Sequence, residues 1–96
     1  SPTVLITGAS SGIGYALAHQ FAREHYQLVL VARDQQRLSA LAQQLQQSHG
    51  VSVKVFIKDL ALPTASLELF EQLQRDRVHI DVLVNNAGFG THGLYH

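Results

Sequence analysis

The chain contains no cysteine, so neither a disulfide framework nor a thiolate metal site is available, and a reducing compartment, the cytoplasm, is the simplest expectation. No apolar run reaches the roughly 18 residues that a membrane span needs. Ser1-Pro2-Thr3 lacks the charged n-region of a secretory signal. A surplus of either charge is missing too, since seven basic residues balance seven acidic ones. The whole-protein field therefore offers nothing to hold nucleic acid or an anionic membrane, and neither is expected as a partner. Six histidines are present, at 19, 25, 49, 79, 92 and 96, but no carboxylate accompanies them at ligand spacing. His92 and His96 would share a helix face, yet a zinc site needs a further ligand, so metal binding is not expected.

What is there reads as one small folded domain. Ninety-six residues that are 46% hydrophobic and 15% charged fit a globular chain and exclude a disordered one. Two patterns alternate along it. "TVLIT" at 3–7, "LVLVA" at 28–32, "VSVKVFI" at 51–57 and "DVLV" at 81–84 are short β-branched and apolar runs. The first, second and fourth are almost wholly apolar, as parallel strands covered on both faces are.

Between them lie three segments with helical spacing. Their apolar stripes are Ile13, Leu17 and Phe21; Leu38, Leu41, Ala42 and Leu45; and Leu67, Phe70 and Leu73. Asp34 is placed to cap the second helix and Gly50 to end it, and Pro63 suits the first turn of the third. The glutamines at 35, 36, 43, 44, 46 and 47 fall mainly off the leucine stripe and read as a solvated face. The order β-α-β-α-β-α-β with short connections predicts an α/β fold, a parallel sheet wrapped by right-handed crossovers.

"TGASSGIG" at 7–14 stands where the first strand hands over to the first helix. Ligands of open α/β sheets bind beyond the carboxyl ends of the strands, where a helix start presents unpaired N–H groups to phosphate. Gly8, Gly12 and Gly14 suit a sharp turn, close approach of a pyrophosphate, and tight packing of helix on strand. Ser10 and Ser11 add hydroxyl donors. The competing reading is a plain strand-to-helix turn with a serine cap. No Gly-Lys-Ser/Thr follows, which excludes the P-loop of nucleoside triphosphate enzymes.

"TGASSGIG" together with "VNNAG" at 84–88 resembles the N-terminal, cofactor-binding half of the classical short-chain dehydrogenases/reductases. The resemblance covers essentially the whole chain. It implies a Rossmann-type doubly wound sheet of strand order 3-2-1-4, residues 1–96 forming an NAD(P)-binding domain cut short of its catalytic half. It implies cofactor contacts from Gly8, Ser10, Ser11, Gly12, Ile13 and Gly14. It also sets Asp59 and Leu60 of "KDL" against adenine, and Asn86, Ala87 and Gly88 beside the adenosine ribose. For Asp59 the alternative is a cap for the helix that Pro63 begins. Asn85 is better read as a tie between neighbouring strands.

The end of the second strand bears on the choice of nucleotide. A carboxylate there would bond a ribose 2′-hydroxyl, whereas an arginine accommodates a 2′-phosphate. This strand ends in Ala32 with Arg33 directly after it, which points to NADP(H) rather than NAD. Asp34, if it reached the ribose instead of capping the helix, would favour NAD.

The family's proton-transfer pair, Tyr-x-x-x-Lys, does not occur in the 96 residues. Tyr15 is followed four positions later by His19, Tyr26 by Leu30, and Tyr95 stands next to the last residue. The expectation is thus the cofactor-binding part of an NADP-dependent oxidoreductase that moves hydride between nicotinamide and a small carbonyl or alcohol. Without its catalytic residues the chain alone would be inactive, and any homo-oligomer would form through later segments. A non-catalytic NADP sensor and a structural fragment of a Rossmann protein are the alternatives.

Overall fold

The computed structural model describes residues 2–9, 12–59 and 62–85. Seven elements alternate: β1 (Thr3–Thr7), α1 (Gly12–Arg23), β2 (Gln27–Ala32), α2 (Gln35–His49), β3 (Val53–Ile57), α3 (Pro63–Arg75) and β4 (Val82–Asn85). The strands form one sheet in the order β3-β2-β1-β4, and every pairing is parallel. The Rossmann-type architecture and strand order expected from the sequence are therefore present. The third strand is shorter than the run at 51–57, because Ser52 joins β2 only through a carbonyl that accepts from the Leu28 N–H at 2.9 Å. The fourth starts one residue later than expected, at Val82. The Asp81 carboxylate there accepts from the Thr3 N–H at 2.8 Å and tethers the entry to β1.

Period-2 alternation sends successive strand residues to two separate cores. Val4, Ile6, Leu28 and Leu30 face α1 and α2, where Ala18, Ala22, Leu38, Leu41 and Leu45 complete one buried cluster. Leu5, Val29 and Val31 face the other way, onto Leu69 and Leu73 of α3. The sheet is thus doubly wound, and its two central strands are buried nearly throughout.

α2 buries the expected Leu38, Leu41, Ala42 and Leu45 and exposes all six glutamines. The other two helices depart from expectation. In α1 the buried row is Gly14, Ala18 and Ala22. Leu17 and Phe21 only flank it, and Ile13 is 64% exposed. In α3 the buried row is Ala65, Leu69 and Leu73, while Leu67 and Phe70 are 62% and 53% exposed. Each buried row runs i, i+4, i+8. Small residues in it let the helix axis approach the sheet, so closeness rather than bulk selects the inward face.

Both of these helices end in the same left-handed turn. After α1, His25 adopts φ 66°; its N–H donates to the Ala22 carbonyl and the Tyr26 N–H to that of Phe21. After α3, Arg77 adopts φ 55°, with the Arg77 N–H donating to Gln74 and the Val78 N–H to Leu73. These are Schellman motifs, completed by the apolar contact that accompanies them, for the Phe21 and Tyr26 rings meet edge to face at 4.8 Å. Glycine usually takes the left-handed position. His25→Gly should stabilise the chain by roughly 0.5–1 kcal/mol, the relief of left-handed strain less the added freedom of the unfolded chain. Urea unfolding of the two proteins measures it, and an unchanged or lower midpoint would contradict the strain argument.

Candidate functional site

All four strands of a parallel sheet leave it at one edge, so the segments singled out in the sequence come together there through topology alone. Gly8 follows β1 at φ 65°. Its N–H donates to the Val31 carbonyl at 2.8 Å, and the Ala9 N–H reaches the same oxygen at 3.4 Å. On the other side of β2, the Lys58 N–H donates to the Ala32 carbonyl at 3.0 Å. The last carbonyls of β2 thus hold the loop after β1 and the end of β3 in fixed relation.

Gly12 opens α1 at φ 58°. A Cβ built on it would meet no atom within 4 Å. Glycine supplies a conformation there, and the space beside the backbone is open. Gly14 is buried two residues further on, and Ile13 between them projects outward. The first turn of α1 carries no acidic residue, so no carboxylate offsets the positive end of the helix dipole.

Arg33 leaves β2 exposed to solvent, and its side chain enters no hydrogen bond or ion pair among the described residues. Asp34 is committed to α2. One carboxylate oxygen accepts from the Arg37 N–H at 3.0 Å, and the other lies 3.5 Å from Arg37 Nε. The helix cap read from the sequence is what the structure contains. Asp59 is half-buried just past β3, and its backbone carbonyl accepts from the Leu62 N–H at 3.0 Å. The N-cap of α3 is Leu62, without a side-chain bond.

At the fourth strand, Thr7 and Asn85 are register partners, and Thr7 Oγ1 donates to Asn85 Oδ1 at 3.0 Å. Asn85 ties β1 to β4 as its position suggested. Thr7 had no assigned role in the sequence; its only signal there was a hydroxyl closing an otherwise apolar strand. Ser10, Ser11, Leu60, Asn86, Ala87 and Gly88 lie outside the described residues. Among the described residues no group of three His, Asp or Glu could hold a metal ion, and no helix is long and apolar enough to cross a membrane.

A family model described as short chain dehydrogenase matches residues 2–96. The chain belongs to that family. It is 37% identical over 92 residues to an 11-beta-hydroxysteroid dehydrogenase of Pinus massoniana, a match covering 96% of this chain and 26% of that protein. A short-chain dehydrogenase from Sphingobium yanoikuyae in complex with NADPH superposes with a TM-score of 0.84 at 48% identity, covering 97% of this chain and 36% of the other. L-sorbose reductase from Gluconobacter frateurii, complexed with NADPH and L-sorbose, gives 0.86 at 41% identity over 95% and 35% of the two chains. The chain thus spans about a quarter to a third of the length of these relatives.

The open space at Gly12 makes a clean test of what its conformation is worth. Gly12→Ala should destabilise the chain by about 1–2 kcal/mol, the left-handed penalty for a residue with a Cβ. Thermal unfolding monitored by circular dichroism reads the change. A loss several times larger would mean that the methyl group strikes a neighbour.

Proposed function

We propose that this chain is the NADP(H)-binding part of a short-chain oxidoreductase acting on a carbonyl or alcohol substrate. One observation carries the reading. Of the left-handed glycines after β1, Gly8 is hydrogen-bonded to the end of β2, and directly past that end stands an arginine with no partner among the described residues. Gly8, Gly12 and Gly14, with Ser10, Ser11 and Ile13, would hold the pyrophosphate at the start of α1. Arg33 would take the 2′-phosphate, which a guanidinium grips through two parallel N–H bonds. The engagement of both Asp34 oxygens with Arg37 supports this choice, since a free carboxylate at that place is what would favour NAD. The NADPH in the Sphingobium and Gluconobacter structures supports it as well. Asp59 and Leu60 would flank adenine, and Asn86, Ala87 and Gly88 the ribose.

The residues present fit such a cofactor, because the approach to Gly12 is open and the helix start is free of carboxylates. When bound, the nicotinamide supplies or accepts the hydride, and the protein contributes position and electrostatics. This chain's own part is to orient the dinucleotide along the carboxyl edge. Proton transfer to the substrate oxygen is assigned to no residue within it, since no Tyr-x-x-x-Lys occurs in the sequence. That same observation keeps a second reading in play, a nucleotide-binding module that senses NADP(H) without reducing anything.

Titration calorimetry with NADP and NAD tests the cofactor assignment. Arg33→Ala should weaken NADP binding about 10–100-fold, the range of a lost charge-assisted bond, and change NAD binding little. Equal losses for both dinucleotides would overturn the choice of NADP. The native coding sequence past His96 separates enzyme from sensor. A Tyr-x-x-x-Lys roughly 60–75 residues further on would supply the proton donor, and a stop codon there would leave the nucleotide module alone.

A further inference from the structure

The amino edge of the sheet, opposite the candidate cofactor site, carries a cleft of its own. It has a volume of about 220 Å³ and lies between the starts of β2 and β3 and the turn that follows α3. Lys54, Arg77 and His79 line it together with Ser52, and Asp76 is the one acidic residue among the lining residues. Neither Lys54 nor Arg77 is engaged in an ion pair among the described residues. His79 Nε2 stands 3.3 Å from Asp81 Oδ1, and the second oxygen of Asp81 is held by the Thr3 N–H. Two cationic residues without ion pairs among the described residues, a histidine and a serine therefore line the cleft against a single acidic residue.

Two features set this cluster apart from scattered surface charge. Arg77 occupies the left-handed position of a Schellman motif, where glycine would be less strained, so its side chain is kept at a conformational cost. Lys54 pairs with Val29 in the sheet register, and alternation places it on the α3 face, the side on which Phe56 packs into the second core. An inward charge on an edge strand guards against edge-to-edge pairing. That role accounts for Lys54 by itself, but not for a strained arginine and a histidine brought to the same cleft.

We infer that this amino-edge cleft is a binding site for a small oxyanion of the phosphate class. Lys54 and Arg77 are its charged donors and Ser52 adds a hydroxyl, while the cleft has room for a short organic substituent beside the anionic group. The site is separate from the proposed cofactor cradle, and it stands or falls independently of the NADP reading.

Amide-resolved NMR titration of the chain with inorganic phosphate, against sodium chloride at matched ionic strength, tests the site. Saturable shifts are expected at Ser52, Lys54, Arg77 and His79. Arg77→Gly suits a left-handed position and keeps the fold, and Lys54→Gln changes an exposed residue. Each should weaken phosphate binding at the cleft about fivefold or more, while Arg33→Ala leaves it unchanged. Shifts at the cleft that match the chloride control would overturn the proposal, as would affinities that ignore both cleft substitutions. Saturation confined to the residues around Gly12 and Arg33 would place phosphate at the carboxyl edge and equally overturn it.

Discussion

The bond from the Gly8 N–H to the Val31 carbonyl, 2.8 Å long, is the contact on which the candidate site depends. A strand leaving a parallel sheet has to turn out of the ladder, and its first free amide must still find an acceptor. Here the acceptor belongs to the neighbouring strand, one residue before that strand ends. The left-handed backbone of Gly8 then turns the chain out of the sheet. The loop after β1 and the arginine after β2 are consequently parts of one rigid corner. Lys58, bonded to the next carbonyl of β2, brings the end of β3 into the same corner.

Left-handed turns occur at both edges of the sheet, and the residues that take them bear on what the glycines are for. At the amino edge, the turns after α1, α2 and α3 take the left-handed conformation with His25, Gly50 and Arg77. Left-handed backbone is thus within reach of ordinary side chains in this fold at a cost of about 1 kcal/mol. At the carboxyl edge the same conformation is given to Gly8 and Gly12, and at Gly12 no neighbour would obstruct a side chain. Turning alone does not require both positions to be bare. Bare backbone beside a helix start is the arrangement that lets a phosphate come close.

Much of this was legible before the fold was known, and the part that was not has a physical cause. Strand runs, their alternation with helices and the caps at Asp34 and Gly50 are local features, set by residues within one turn of each other. The inward faces of α1 and α3 are not local. Ile13, Leu67 and Phe70 are large apolar side chains and still point outward, while Ala18, Ala22 and Ala65 lie buried against the sheet. A stripe drawn by bulk assumes that the core takes whatever is most apolar. A doubly wound sheet instead selects for how near a helix can lie. The tie between Thr7 and Asn85 was half legible, since the asparagine suggested a strand bond while its partner depended on a register that only the folded sheet provides.

Asp34 shows how a local role can decide a distant one. A carboxylate two residues past β2 stands near enough to the proposed ribose position to compete with Arg33 for the choice of nucleotide. Its two oxygens are occupied by the backbone and the side chain of Arg37, so using it for a ribose would mean uncapping α2. An N-cap of this kind contributes about 1 kcal/mol, and a bond from a ribose hydroxyl to the ionised carboxylate would have to exceed it. Using Asp34 for a ribose would give up that cap, whereas Arg33 is not held by any described group and loses no internal bond by binding a phosphate. The discrimination proposed for this site therefore follows from which of two adjacent charged residues the second helix leaves unoccupied.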